Sequence, residues 1–174
     1  MRLAALLFFL FVGVILADEA DTSDWKTINS PKGDYSIQYP PGWKKHETDP
    51  TSDRVLLTKN EDIVATVGVI HQKGLPQVAT ASYMRQVLDQ HDAMMAPIKR
   101  RLSDIKIHKK EIITIKDDYL AFFMDMTGSH QNSAFRILTL NTIFGGKTYT
   151  VLVKIPEALA TNEMRQTAIK IMST

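Results

Sequence analysis

Histidines are the residues of this chain best suited to acid–base or metal chemistry, because imidazole titrates near neutral pH and ligates metals. The sequence holds five, at His46, His71, His91, His108 and His130. No two are three or four residues apart, the spacing that puts two metal ligands on one helix face. A metal or catalytic site would therefore have to be assembled by folding from dispersed His, Asp and Glu residues.

His91 is the histidine with acidic neighbours, since Asp89 and Asp92 lie beside it in a segment of helical periodicity. A histidine in such surroundings could act as a base or a metal ligand. The positions that would supply a second ligand on the same helix face hold leucine and methionine. We therefore interpret His91 as a packed or boundary histidine.

Three other short motifs are predicted to be turns. Adjacent Ser129 and His130 lack the glycine-flanked elbow that presents a nucleophilic serine. Gly145–Lys147 joins two predicted strands, whereas a phosphate loop joins a strand to a helix. The acidic pairs at 61–62 and 117–118 lack the further oxygens that calcium needs. No catalytic residue, cofactor or metal site is therefore predicted.

Basic residues concentrate between positions 99 and 110, where Asp104 is the only acid. On a strand, Lys106, His108 and Lys110 would alternate onto one side. If that side is solvated, it forms a cationic patch that could contact an acidic protein or an anionic membrane surface. Alternatively, these lysines deter unwanted pairing at a sheet edge. The candidate partner contacts are Lys99, Arg100, Arg101, Lys106, Lys109 and Lys110.

Two opposite charges stand in otherwise apolar predicted strands. Asp125 and Arg136 each have apolar neighbours on both sides. Buried charges are usually paired. The sequence therefore predicts a structural ion pair between them.

The first seventeen residues are typical of an export signal. Arg2 precedes an apolar run from Leu3 to Leu16, and Ala17 is followed by an acidic segment. A run of about fourteen residues suits the core of a signal peptide, while a spanning helix needs roughly twenty. We expect a signal peptide at 1–17, a flexible acidic lead-in at 18–31 and a single domain at 32–174. An uncleaved signal that anchors the domain is the alternative to a secreted or periplasmic protein.

Composition excludes some classes of protein. The chain has 174 residues, 21 of them basic and 19 acidic, and the only charge in residues 1–17 is Arg2. The remaining net charge near +1 argues against a general nucleic-acid binder. The absence of cysteine excludes disulfides and thiolate metal sites.

The pattern of the mature chain predicts strands, a helix, further strands and a closing helix. Strands are predicted at 34–39, 54–59, 63–72, 105–116, 119–127, 133–144 and 148–155, from apolar alternation or apolar runs between turn residues. Residues 128–132 are predicted to be a turn. Apolar steps of three and four predict a helix from Thr80 to near Met95, and Pro156 and Glu157 are predicted to open the last helix. The fold class is α+β, a twisted antiparallel sheet with helices on its faces.

The opening Tyr35–Trp43, with its Tyr-x-Ile-x-Tyr-Pro-Pro-Gly-Trp pattern, and the closing segment 169–174 resemble the Mog1/PsbP-like superfamily. The order of helices and strands is similar over nearly all of the mature chain. The resemblance implies a single α+β domain and a non-enzymatic binding or assembly role. It supplies no functional residue, because no family motif for metal or partner contacts is present here.

These observations lead to two expectations about function. The first is an exported, non-catalytic domain without a cofactor that binds a partner protein or an envelope component. The second is a metal- or small-ligand-binding protein, or an enzyme, whose site is assembled from dispersed His, Asp and Glu residues.

Overall fold

The computed structural model describes residues 24–46, 51, 53–60, 62–71, 74–90, 95, 98–115 and 118–172. Within these ranges the strands are β1 (Lys26–Asn29), β2 (Ser36–Tyr39), β3 (Lys44–His46), β4 (Arg54–Lys59), β5 (Ile63–His71), β6 (Ser103–Thr114), β7 (Leu120–His130), β8 (Ser133–Phe144) and β9 (Lys147–Pro156). The helices whose full bounds are described are α1 (Ala81–Asp89) and α2 (Asn162–Met172), with a 3-10 turn at Glu157–Leu159.

The strands form one large antiparallel sheet and one small hairpin. The large sheet has seven strands in the order β3-β4-β5-β9-β8-β7-β6, and β1 pairs only with β2. Short connections join each of the strands β6, β7 and β8 to the next strand in sequence. Gly145 and Gly146 reverse the chain between β8 and β9, with φ of 57° and 70°. The predicted α+β class, with an antiparallel sheet and helices on its faces, is confirmed.

Strand β7 is covered on both faces, as its apolar run predicted. Residues 121–126 are all buried. Phe123 belongs to the apolar layer that contains the β1–β2 hairpin, Trp43 and α2, whereas Phe122 packs in the layer that contains α1. Because alternate residues of a strand point to opposite faces, one face of the sheet is covered by the hairpin and α2, and the other is covered by α1. We call these the α2 face and the α1 face.

Both helices begin at a threonine cap. The Thr80 hydroxyl accepts a hydrogen bond from the Tyr83 amide at 3.3 Å, and the Thr161 hydroxyl accepts one from the Met164 amide at 3.2 Å. Each hydroxyl satisfies an amide that has no partner inside its helix. Pro156 and Glu157 open the 3-10 turn instead of α2, so the predicted helix start was early.

The amino-terminal side holds more strand than the sequence predicted. Residues Lys26–Asn29, part of the predicted flexible lead-in at 18–31, form β1 because Ile28 packs into the core opposite Ile37. The prediction was wrong for those residues. Strand β3 was also missed, since its Lys-Lys-His sequence is exposed and has no apolar alternation.

Two predicted boundaries are corrected. Strand β7 continues through Gly128 to His130, and the turn is confined to Gln131 and Asn132, which have φ of 48° and 65°. Helix α1 ends at Asp89, with Gln90 as its cap, before the predicted end near Met95. Met95, Ile98 and Lys99 are also helical, and the amide of Leu102 donates to the Ile98 carbonyl oxygen. The predicted signal peptide at 1–17 and His91 lie outside the described residues. No helix in the described part of the chain has the length and apolarity required to cross a membrane.

Candidate functional site

The six basic candidate residues follow one edge of the large sheet. Lys106, Lys109 and Lys110 are exposed on β6, the last strand in the sheet order. Lys99, Arg100 and Arg101 are exposed just before β6 begins. We call Lys99, Arg100, Arg101, Lys106, Lys109 and Lys110 the basic edge.

The start of the basic edge is held against the end of β7. His130 Nδ1 lies 3.0 Å from the Arg101 carbonyl oxygen, where its N–H can donate. Gly128 packs against this segment, since a Cβ built on it would make ordinary contacts at 3.4 Å with Leu102 Cδ1 and with the Ser103 carbonyl oxygen. The residues before β6 are therefore attached to the sheet by packing as well as by sequence.

A β-bulge in β6 changes which basic residues share a face. Ile107 is opposite Met126 and Lys109 is opposite Asp125, so His108 is the extra residue between them. Residues directly opposite in an antiparallel pair lie on the same face. Lys106 and Lys109 therefore share the α2 face, while Lys110, opposite Met124, lies on the α1 face. His108 contacts Thr127, the residue opposite Lys106, so the predicted sharing of one side holds for Lys106 and His108. It was wrong for Lys110, because the bulge inserts one residue into a period of two.

Beside Lys109, the predicted pair of Asp125 and Arg136 is present. Asp125 is 2% exposed, and its Oδ2 accepts a hydrogen bond from Arg136 Nη2 at 2.6 Å, while Oδ1 accepts one from Arg136 Nε. The sequence did not predict a second arginine, Arg165 of α2, whose Nη2 donates to the same Oδ2 at 2.8 Å. Two arginines on one carboxylate leave an excess positive charge beneath the basic edge.

His108 lies at the centre of the bulge, and its Nε2 is 3.0 Å from Thr127 Oγ1. Desolvation and, next, the positive charge of Arg136 lower the pKa of His108 below its ordinary value. The ring therefore adds little positive charge at neutral pH. The charge of the basic edge comes from its lysines and arginines.

A cavity of about 460 Å³ lies on the α2 face, between the β1–β2 hairpin, the sheet and α2. Aliphatic residues of β2, β8, β9 and α2 line its interior, among them Ile37, Leu140, Val151 and Ile171. Sequence reasoning missed this cavity, because its walls come from segments between residues 34 and 172. A second cavity of about 320 Å³ lies beneath α1 and includes Ile70.

Four aromatic rings line the first cavity in two edge-to-face pairs. Tyr35 and Tyr149 have ring centres 6.3 Å apart at 86°, and Tyr119 and Phe144 have centres 5.3 Å apart at 68°. We call this the aromatic cavity. Tyr35 is held by its hydroxyl, which donates to the Val67 carbonyl oxygen at 3.1 Å. Burial raises the pKa of Tyr35 and of Tyr149, so both phenols are neutral at physiological pH.

An ion pair stands at the wall of the aromatic cavity. Lys147 Nζ lies 2.7 Å from Asp34 Oδ1, and both side chains are about a quarter exposed. The hydrogen bond to Asp34 raises the pKa of Lys147, which therefore remains charged. Gly145–Lys147 was predicted only as a hairpin turn, and the structure adds this contact to the β1–β2 hairpin.

The histidines with described side chains have separate partners. His46 Nε2 lies 2.6 Å from Thr58 Oγ1, while His108 and His130 make the contacts given above. Among the residues that the structure describes, no group of three or more His, Asp or Glu could hold a metal ion.

Comparison with known proteins identifies the architecture. No protein-family model and no curated protein matches the chain. The solution structure of cyanobacterial PsbP from Synechocystis matches 89% of this chain and 94% of that protein, with a TM-score of 0.63 and 15% identity. The fold is PsbP-like.

A second similar structure is a protein from Bacteroides thetaiotaomicron, with a TM-score of 0.57 and 13% identity. The match covers 85% of this chain and 47% of that one, so the PsbP-like fold spans about half of the Bacteroides protein. The predicted resemblance to the Mog1/PsbP-like superfamily is confirmed for the fold. Identities this low leave the function to be argued from the residues themselves.

Proposed function

We propose that this PsbP-like protein is an exported, non-catalytic domain that binds an acidic protein partner through the basic edge. The observation that carries the proposal is the run of exposed cations from Lys99 to Lys110 along the outermost strand. Asp104 is the only acid within that run. A surface of one charge sign accelerates encounter with a partner of the opposite sign and disfavours partners of the same sign.

The acidic residues of the protein itself neutralise the positive charge of the basic edge only in part. Lys109 Nζ lies 2.7 Å from Glu111 Oε1, but the two side chains are 46% and 31% exposed. Exposed ion pairs of this kind contribute little free energy, so a partner carboxylate can replace Glu111. Asp125 beneath the surface is already shared by two arginines and cannot neutralise the lysines above it.

The geometry of β6 favours recognition through side chains. A bulge interrupts the strand at His108, and both faces beside it carry lysine. Bulges and lysines each hinder the addition of another strand at a sheet edge. We therefore expect the partner to contact the lysine and arginine side chains and not to extend the sheet.

The test is capture of a partner from an envelope extract by the chain lacking residues 1–17, with cross-linking at low and high salt. The variant Lys106→Glu/Lys109→Glu/Lys110→Glu reverses three charges of the basic edge. A matched control, Lys26→Glu/Lys44→Glu/Lys45→Glu, makes the same charge change on exposed residues of β1 and β3. We expect the first variant to reduce capture by at least about tenfold, the control to retain it, and high salt to weaken it.

Equal loss of capture in both variants would mean that net charge, not the basic edge, determines binding. If the first variant still captured the partner, the basic edge would not be the binding surface, and its lysines would serve only to prevent unwanted pairing at the sheet edge. Sedimentation with vesicles of phosphatidylglycerol and phosphatidylcholine tests the lipid alternative. One combined result would be that the parent chain binds the anionic vesicles, the first variant does not, and no protein is captured. That combination would mean that the basic edge contacts a membrane surface and not a protein partner.

Export is proposed from the pattern of residues 1–17, an apolar run of signal-peptide length. Amino-terminal sequencing of the protein purified from its own cells tests this directly. We expect the mature chain to begin at Asp18. A chain that begins at Met1 in the membrane fraction would favour the anchored form instead.

A further inference from the structure

The aromatic cavity is a cleft open to solvent and has the size of a small-molecule site. At about 460 Å³ this space falls within the range of small-molecule sites, which is roughly 300–1,000 Å³. Its lining is mostly apolar with a few polar groups, which is also typical of such sites.

The four rings lie around one strand position. Thr142 on β8 is opposite Tyr149 on β9 and opposite Ala121 on β7. Tyr35 packs against Tyr149, while Phe144, two residues beyond Thr142 on β8, packs against Tyr119, which comes just before β7. One aromatic pair therefore adjoins Thr142 across the sheet and the other adjoins it along β8, so a planar group lying above Thr142 is next to both pairs.

One ring of this set is incompletely covered. Phe144 is 49% exposed although Tyr119 packs against it. Covering an exposed aromatic surface is favourable, and ring–ring contacts add to the gain from burial. The Thr142 hydroxyl already donates to the Leu120 carbonyl oxygen at 2.8 Å, so it imposes no polar requirement on a ligand.

The charge of the lining is neutralised internally. Among the described residues that line the cavity, Asp34 is the charged one, and Lys147 pairs with it. Apart from this pair, the described lining offers a charged ligand no counter-charge, and such a ligand would lose part of its hydration against the apolar walls. The lining therefore favours a molecule without net charge.

We propose that the aromatic cavity binds a small, uncharged molecule that contains an aromatic ring. The ring lies above Thr142, beside the pairs Tyr35–Tyr149 and Tyr119–Phe144, and its edge meets the side chains of Ile115 and Val151 in the same lining. This site is separate from the basic edge, so either assignment can fail without the other.

Fluorescence titration with N-phenylnaphthylamine, an uncharged aromatic dye, tests the proposal on the chain lacking residues 1–17. Anilinonaphthalene sulfonate, which has similar rings and a negative charge, is the matched probe. We expect saturable binding of the uncharged dye at one site and at least about tenfold weaker binding of the sulfonate. In methyl NMR spectra, the dye should shift the resonances of Ile115 and Val151.

Two variants locate the site. Tyr119→Ser/Phe144→Ser removes one aromatic pair and should weaken dye binding about tenfold. Ile70→Ser alters an exposed residue of the second cavity and should leave the dye affinity within about twofold. Tyr119→Leu/Phe144→Leu keeps apolar bulk without rings and should also weaken binding, which distinguishes ring contact from general apolarity.

The proposal is overturned if the dye does not bind, or if the sulfonate binds equally well. It is also overturned if Ile70→Ser weakens binding while the Tyr119→Ser/Phe144→Ser protein binds normally, because the second cavity would then be the site. Circular dichroism and the thermal midpoint of each variant identify any loss of binding that comes from unfolding.

Discussion

At the scale of single residues, Asp125 is the most deeply buried charged group in the described part of the chain. It is buried on the middle of β7 and accepts hydrogen bonds from Arg136 and Arg165. Arg165 belongs to α2, so the same carboxylate that neutralises a strand residue also attaches the last helix to the sheet. Burying charged groups such as these is unfavourable unless they are paired.

The first prediction concerns removal of this carboxylate. Asp125→Ala leaves two arginines without their acceptor, and breaking a buried pair in this way costs about 3–5 kcal/mol. The free energy of unfolding, measured in urea, should fall by at least about 3 kcal/mol. Glu111→Ala, which breaks the exposed pair with Lys109, is the control and should change it by less than about 1 kcal/mol. Similar effects of the two changes would contradict the structural role of Asp125.

The second prediction concerns Tyr35 at alkaline pH. Burial raises the pKa of this phenol, whereas an unfolded tyrosine ionises at about 10. Above pH about 10 the unfolded chain therefore releases a proton that the folded chain keeps, and the free energy of unfolding falls as pH rises. Tyr35→Phe should make urea stability less dependent on pH between about 10 and 12. Parallel pH profiles of the two proteins would show that Tyr35 does not carry the effect.

At the scale of elements, the joint between β7 and the start of β6 determines where the basic edge lies. Gly128 faces Leu102 and Ser103 at contact distance, and His130 bonds to the Arg101 carbonyl oxygen. Both contacts involve residues 128–132, which the sequence pattern predicted to be a turn. Their common effect is to keep three cations of the basic edge close to the sheet.

The third prediction concerns this joint. Gly128→Val adds branched carbons where a Cβ already reaches contact distance, and overpacking of this kind costs about 1–3 kcal/mol. Gly128→Ala adds only the Cβ and is the control, which we expect to be within about 1 kcal/mol of the parent. Amide exchange of residues 99–103 should accelerate in the valine variant alone. Equal stability of the two variants would mean that this joint adapts freely.

At the scale of the whole molecule, the β1–β2 hairpin covers one end of the α2 face. Ile28 and Ile37 are opposite each other in the hairpin and both join the larger core cluster. The pair Asp34–Lys147 connects the same hairpin to β9 across more than one hundred residues of sequence. The hairpin is therefore part of the domain, and it also forms one wall of the aromatic cavity.

The fourth prediction concerns the boundary of the domain. A chain that begins at Ser30 lacks β1 and exposes the core around Ile37, whereas a chain that begins at Asp24 keeps β1. We expect the shorter chain to lose about 2–4 kcal/mol of unfolding free energy from the lost burial of Ile28 and the lost strand hydrogen bonds. The longer one should match the chain lacking residues 1–17. If both truncated chains were equally stable, β1 would contribute nothing to stability, and the domain would begin after residue 29.

The sequence by itself determined the features that depend on local order. Alternation and turn residues predicted β4, β8 and most of the other strands, because a period of two and the left-handed turn conformation are properties of short segments. The pairing of Asp125 with Arg136 was also predicted, since an isolated charge in an apolar strand requires a partner.

The tertiary structure alone decided which residues meet. Because of the bulge at His108, Lys110 lies on the opposite face from Lys106, and no local sequence pattern predicts a single inserted residue. Arg165 meets Asp125, and Lys147 meets Asp34, because α2 and the β1–β2 hairpin pack on one face of the sheet that the strand order builds. The aromatic cavity depends on the same strand order, which is set by burial over the whole chain and not by the periodicity of any one segment.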